Sequence, residues 1–198
     1  MTDILMLYIC TYFPFCFRLS LQNIRIRSSL AAGISGIFLL PGSCDPYNPK
    51  VIRSAVGAQF LVPCLDMDSM ETCLSMIHQL QIDSTNTITI TKQQEDFHGI
   101  DQVYAATMDA SGDASIESIP YFDIDYSASE STSSTTCCTA IIIGNEGQGL
   151  SPEVRTLVQD GAIQGTHIPM AEGIESLNAA ICGSVILFDY ARKTSARK

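Results

Sequence analysis

The chain alternates between blocks of strand-like and helix-like hydrophobic spacing. Residues 34–40, ISGIFLL, form an unbroken apolar run closed by Pro41-Gly42, which predicts a buried strand. GSCDPYNPK (42–50) reads as a loop, and VIRSAVGAQF (51–60) as a short helix closing near Gly57. A strand, FLVPCL, is expected next. Asp66 or Asp68 is placed to cap a helix reaching about Leu80, with Met70, Leu74, Ile77 and Leu80 on one face. TITIT (87–91) and QVYAATM (102–108) alternate like strands, and 109–139 is polar and Ser/Thr-rich, as expected of a mobile surface loop. TAIIIG (139–144) is a second buried strand. SPEVRTLVQ then opens a helix with Ser151 as cap and Pro152 at its first turn. GTHIPM (165–170) predicts a short strand, and SLNAAICGSVILFDYARK (176–193) the longest helix, with Ser176 as candidate cap. Strands alternating with helices predict an α/β fold with a mainly parallel sheet.

Length narrows this to one domain: 198 residues are too few for two full-sized ones. The apolar stretch from Ile4 to Phe17 contains Pro14 and is too short to span a membrane. It lacks the preceding positive charge of a signal peptide, and a buried strand is the plainest reading. The net charge of −10 argues against a protein that holds nucleic acid or anionic membrane by bulk positive charge. That charge is unevenly placed. Residues 65–140 hold 13 acids against the single base Lys92, a net of −12. The remainder carries 10 bases and 8 acids, a net of +2, with bases concentrated near both ends. The acidic middle is expected to be a solvated face. The eight cysteines include no C-x-x-C pair, and the three histidines show no zinc-ligand spacing. Free thiols in a reducing compartment are therefore expected, with no metal, and Cys64 and Cys182 as small core residues.

Two stretches carry candidate chemistry. Ile143-Gly144-Asn145-Glu146-Gly147-Gln148-Gly149 lies between a buried strand and a helix, where glycines allow a ligand close to the backbone. A dinucleotide site is disfavoured because the order is G-x-x-G-x-G and it falls late in the chain. The other stretch is Ile168-Pro169-Met170, followed by Ser176-Leu177-Asn178 at the start of the last helix. Backbone N–H groups and capping side chains there suit a polar ligand.

As a pair, these stretches resemble the two C-terminal motifs of the SpoU-type (TrmH-like) branch of the SPOUT RNA methyltransferases. The resemblance runs from about Ile34 to Tyr190 and includes FLLPGSCDPYNPKVIRSAVGAQFLVP, which is similar to the stretch members place after their first motif. It implies a parallel sheet whose C-terminal segment forms a trefoil knot, binding of S-adenosylmethionine, and homodimers. It also implies methylation of a ribose 2′-hydroxyl in RNA, rRNA rather than tRNA, in the mitochondrion or cytoplasm. Carried over by motif, Gly144, Asn145, Glu146, Gly147, Ile168, Met170, Leu177 and Asn178 line the cofactor pocket. Asn23, Arg27, Glu146, Ser176 and Asn178 are the polar active-site positions.

The first motif departs from the family pattern. LQNIRIRSSLAAG keeps Asn23, Arg27, Ser28 and Gly33, but only three residues separate Asn23 from Arg27 where members have five. Residues 1–20 are read as an atypical segment in front of a methyltransferase domain spanning 21–198. Two missing residues rotate a helical side chain by roughly 200°, so Arg25 competes with Arg27 for the active-site position. The resemblance therefore leaves a second reading: a catalytically impaired dimeric RNA- or cofactor-binding relic.

Overall fold

The computed structural model describes residues 5–10, 19–82, 88–90, 102–107, 117–126, 138–144, 149–174 and 176–195. The strands are Leu5–Cys10 (β1), Gly36–Leu39 (β2), Cys64–Asp66 (β3), Leu80–Ile82 (β4), Ile88–Ile90 (β5), Gln102–Ala106 (β6), Ser118–Pro120 (β7), Cys138–Ile143 (β8) and Gln164–His167 (β9). The helices are Leu19–Ala31 (α1), Pro49–Ala55 (α2), Met70–Gln79 (α3), Pro152–Gln159 (α4) and Ala179–Ser195 (α5). Seven strands form one sheet in the order β3-β2-β1-β8-β6-β9-β7, every described pairing parallel. β4 and β5 make a separate antiparallel pair. β1 lies between β2 and β8, with Leu7 opposite both Gly36 and Ala140, so a central strand lies within the first 20 residues.

The apolar runs are continuous because the sheet is covered on both faces. Ile37, Leu39, Ile141 and Ile143 face a core completed by Ile26 of α1, Val51 and Ala55 of α2, and Ile186 and Leu187 of α5. Phe38, Ala140 and Ile142 face the opposite core, built with Met70, Cys73 and Ile77 of α3 and Val154 and Val158 of α4. The result is a three-layer α/β/α sandwich, as the alternation of strands and helices predicts. No described helix is long and apolar enough to cross a membrane.

Several local expectations are corrected. The cap of α3 is Ser69, whose hydroxyl accepts from Thr72 N at 3.1 Å, rather than Asp66 or Asp68. The cap of α5 is Asn178, whose Oδ1 accepts from Ala180 N at 2.9 Å and Ile181 N at 3.3 Å, rather than Ser176. FLVPCL is not one strand: Ala58–Phe60 form a 3₁₀ turn, and pairing starts at Cys64, after Pro63. The expected loop 109–139 contains β7 and a segment that buries Ile124 and Tyr126. Lys193 of α5 holds that segment, donating to the carbonyls of Phe122 at 2.6 Å and Ile124 at 2.7 Å. Its Nζ also lies 5.2 Å from the Tyr126 ring centroid. Ser151 caps α4 as expected, accepting from Val154 N at 3.3 Å.

Helix α2 ends through two successive left-handed residues, Val56 at φ 54° and Gly57 at φ 74°. Val56 is the one non-glycine residue at positive φ among the described residues, and it is 74 % exposed. A β-branched residue pays about 1–2 kcal/mol for this conformation. Glycine avoids that cost but loses about 0.5–1 kcal/mol through backbone freedom in the unfolded chain. Val56→Gly is therefore expected to stabilise the fold by up to about 1 kcal/mol. A rise in the urea midpoint at unchanged slope would show it.

Candidate active site at the carboxyl edge of the sheet

Because the strands are parallel, the ends of β2, β6, β8 and β9 share one edge, where ligands of open α/β sheets bind. Gly144 follows β8 there and is buried. A Cβ on Gly144 would lie 2.5 Å from both the carbonyl carbon and oxygen of Gly149 and 2.8 Å from Leu150 N. The chain thus folds back onto itself across the glycine-rich turn, and Gly149 takes φ 68° at the return. The returning backbone is held by Arg155 of α4, whose Nε donates to the Leu150 carbonyl at 3.1 Å.

Arg25 reaches this point from α1. It is 3 % exposed, and its Nη2 donates to the Gly144 carbonyl at 3.4 Å, the long end of the hydrogen-bonding range. α5 closes the third side. Burial pushes its Cys182 thiol up to about 11, with the Arg25 charge pulling the other way. Cys182 therefore stays a protonated packing group near neutral pH. The Ser184 hydroxyl of α5 donates to the Ser28 hydroxyl of α1 at 2.8 Å, tying the two helices together beside Arg25. Cys64 is likewise neutral, burial and then the Asp66 charge pushing it to about 11.

The Ile168–Met170 segment leaves the end of β9. His167, just before it, shares a 2.8 Å hydrogen bond between Nδ1 and Ser118 Oγ of β7. Gly165 allows that edge strand in: a Cβ there would sit 2.6 Å from the Glu117 carbonyl oxygen. Ile168 and Met170 are half-buried, while Ser176, Leu177 and Asn178 are exposed at the start of α5. With Oδ1 engaged as the helix cap, the Asn178 side-chain N–H groups make no hydrogen bond to a described residue.

The structure thus brings Gly144, Ile168, Met170, Ser176, Leu177 and Asn178 to the carboxyl edge or the segments leaving it. Asn145, Glu146 and Gly147 lie outside the described residues. Asn23 lies on α1, and its side chain is likewise outside them. Arg27 is exposed and makes no ion pair with a described residue, whereas Arg25, two residues earlier, is the arginine at Gly144. Arg25, Ser29 and Ala32 are all buried and fall at i, i+4 and i+7, so helical phase marks this inner face. Ser118 carries no such signal, since it lies in a polar stretch. Among the described residues no His, Cys, Asp and Glu group is arranged to hold a metal.

A parallel sheet covered by helices on both faces, with a glycine-tight turn at its carboxyl edge, defines a protein of the doubly covered open α/β class. The chain belongs to the SpoU rRNA methylase family, whose model matches residues 24–188. It is 27 % identical over 186 residues to human mitochondrial rRNA methyltransferase 3, covering 87 % of this chain and 44 % of that protein. It is 28 % identical over 168 residues to the 23S rRNA (uridine(2479)-2′-O)-methyltransferase of Streptomyces viridochromogenes, covering 85 % and 47 %. The chain therefore spans about half the length of these relatives. The fold matches the crystal structure of the SpoU methyltransferase AviRb from Streptomyces viridochromogenes in complex with AdoMet. That match has a TM-score of 0.68 at 23 % identity, over 99 % of this chain and 60 % of the other.

Proposed function

We propose that the protein transfers a methyl group from S-adenosylmethionine to a ribose 2′-hydroxyl of RNA, rRNA in the first instance. The observation that carries this reading is convergence. Arg25 of the first motif donates to the carbonyl of Gly144 of the second, 119 positions on in the sequence, and the helix of the third is tied to α1 by the Ser184–Ser28 hydrogen bond. Family membership and the relatives' names supply the chemistry, and the edge fits the cofactor. In this reading the cofactor lies against the tight turn at Gly144, with the half-buried apolar Ile168 and Met170 on the segment leaving β9 and, as donor, the Asn178 side-chain amide, which makes no hydrogen bond to a described residue.

When bound, the cofactor supplies a methyl group already activated on a sulfonium. The chain's own task is to place the 2′-oxygen in line and help remove its proton. In this reading Gly144, Asn145, Gly147, Ile168, Met170 and Leu177 hold the cofactor. Glu146, Ser176 and Asn178 surround the reacting hydroxyl with hydrogen-bonding groups, and Asn23 faces the substrate. Arg25 is a positioning residue: its guanidinium fixes the Gly144 carbonyl and thereby the start of the turn. Arg27, on the outer face of α1, meets an RNA phosphate, a role that suits the planar donor fork of a guanidinium. The C-terminal segment threads as a trefoil knot, as in the family.

Ile181 and Phe188 expose 47 and 49 % of their surfaces at i and i+7, on one face of α5. A second copy covers it in the proposed homodimer. Titrating the chain with S-adenosylmethionine, and then supplying rRNA with methyl-labelled cofactor, tests the function. Saturable binding and label in RNA are expected, and absence of cofactor binding would exclude it. The second reading, a binding relic without turnover, is favoured by the outward position of Arg27 behind the shortened first motif. It predicts cofactor binding with no label in RNA, and gain of activity when two residues are restored between Asn23 and Arg27.

A further inference from the structure

Beside the site lies a surface with no role so far. Tyr47 follows the carboxyl end of β2 and is 47 % exposed; Phe60, on the 3₁₀ turn after α2, is 64 % exposed. Their ring centroids are 5.9 Å apart at 43°. Val56 and Leu61 extend the apolar surface, at 74 and 73 % exposure. Lys50 and Arg53 of α2 are exposed and make no ion pair with a described residue. The one acid between residues 42 and 63 is Asp45, whose carboxylate accepts from Tyr47 N at 2.8 Å. On a chain of net charge −10, this is a basic and aromatic island.

The pairing of flat rings with cations that no described acid pairs selects among occupants. Unpaired nucleotides satisfy both at once, because bases stack on aromatic faces while phosphates meet the cations. A duplex does not, since its bases are already stacked. A second copy docking through the same patch about a two-fold axis would bring Lys50 and Arg53 against their own like charges. The location also fits. The loop that carries Tyr47 leaves the carboxyl end of β2, and β2 is two strands, about 10 Å at ordinary strand spacing, from β8, which runs into Gly144.

We propose that Tyr47 and Phe60 form a stacking platform for unpaired bases flanking the target nucleotide, with Lys50 and Arg53 on their phosphates. This rests on the RNA methyltransferase reading and adds the place where the substrate strand is gripped. The test uses the full chain and single-stranded RNA of about 12 nucleotides, within the range such sites occupy. One version carries a fluorophore for anisotropy and one carries 5-iodouridine for photocrosslinking. Tyr47→Ala and Phe60→Ala should each weaken binding roughly 5- to 100-fold, the loss of one stacked base. Tyr47→Phe should retain affinity, and crosslinks should map to Tyr47 or Phe60. S-adenosylmethionine affinity should be unchanged in every variant. If the wild-type chain labels RNA while both alanine variants bind RNA equally well, the platform is overturned and the methyltransferase reading stands. Crosslinks confined to other surfaces, or loss of a dimer on Tyr47→Ala by light scattering, would also overturn it. A wild-type chain that binds cofactor but no RNA overturns both readings.

Discussion

Gly144→Ala is expected to abolish cofactor binding and to destabilise the fold. Its added methyl carbon would lie 2.5 Å from two backbone atoms of Gly149, inside any tolerable contact, and neither chain segment is a flexible side-chain tip. The glycine-rich turn must open, at a cost of about 1–3 kcal/mol for overpacking a tight site. Opening it moves the floor of the proposed cofactor pocket. Gly173→Ala is the control. Gly173 lies at φ 85° with nothing within 4 Å of an added Cβ, so only the conformational cost of about 1–2 kcal/mol applies. Calorimetric titration with S-adenosylmethionine should show no detectable heat for Gly144→Ala at concentrations that saturate Gly173→Ala. Equal affinity in the two variants would show that the turn does not form the pocket floor.

The second large effect separates the two arginines. Arg25→Ala removes a buried, charge-assisted donor and leaves the Gly144 carbonyl without it, which costs about 2–4 kcal/mol of stability. It should also lower methyl transfer at least 100-fold, because the turn holding the cofactor loses its support. Arg25→Lys should not rescue, since an ammonium group does not reproduce the guanidinium's planar fork. Arg27→Ala, on the exposed face, should change stability by less than about 0.5 kcal/mol. Its effect should instead appear as weaker RNA binding with a shallower salt dependence, reduced by about one phosphate contact. Thermal unfolding together with separate kcat and KM values distinguishes the roles. A stable, active Arg25→Ala variant would remove Arg25 from the site.

The parts of this site legible in the sequence are those where burial and turn chemistry coincide. The run Ala140–Ile143 is apolar at every position because both faces of β8 are covered, and Gly144 after it stands where the returning backbone leaves no room for a side chain. Ser151 and Pro152 announced α4 for the same local reason. The misplaced caps were decided by where the helix axis begins. Ser176 and Asn178 are both good capping residues, and only the path of the chain after Gly173 puts the Asn178 oxygen, two residues on, over Ala180 N and Ile181 N. β7 was hidden because a three-residue edge strand is held by backbone pairing to β9, with a hydrogen bond from Thr166 Oγ1 to the Ile119 carbonyl at 3.0 Å. Neither depends on a hydrophobic pattern. The two arginines show a conflict between two cues. The family pattern of Asn, Arg, Ser and a closing Gly selects Arg27, whereas helical phase with Ser29 and Ala32 turns Arg25 inward. Spacing inherited from relatives says where a residue stands in an alignment, and phase decides which way it faces.

Alkaline hydrolysis of the RNA product tests the central claim most directly. Hydroxide cleaves RNA through the free 2′-oxygen attacking its own phosphodiester, so a 2′-O-methyl group leaves one bond uncut. After incubation of rRNA with this chain and S-adenosylmethionine, the hydrolysis ladder should show a gap at one nucleotide. That gap should be absent without cofactor and absent with Gly144→Ala. A full ladder with no gap, from a chain shown by calorimetry to bind the cofactor, would contradict ribose methylation.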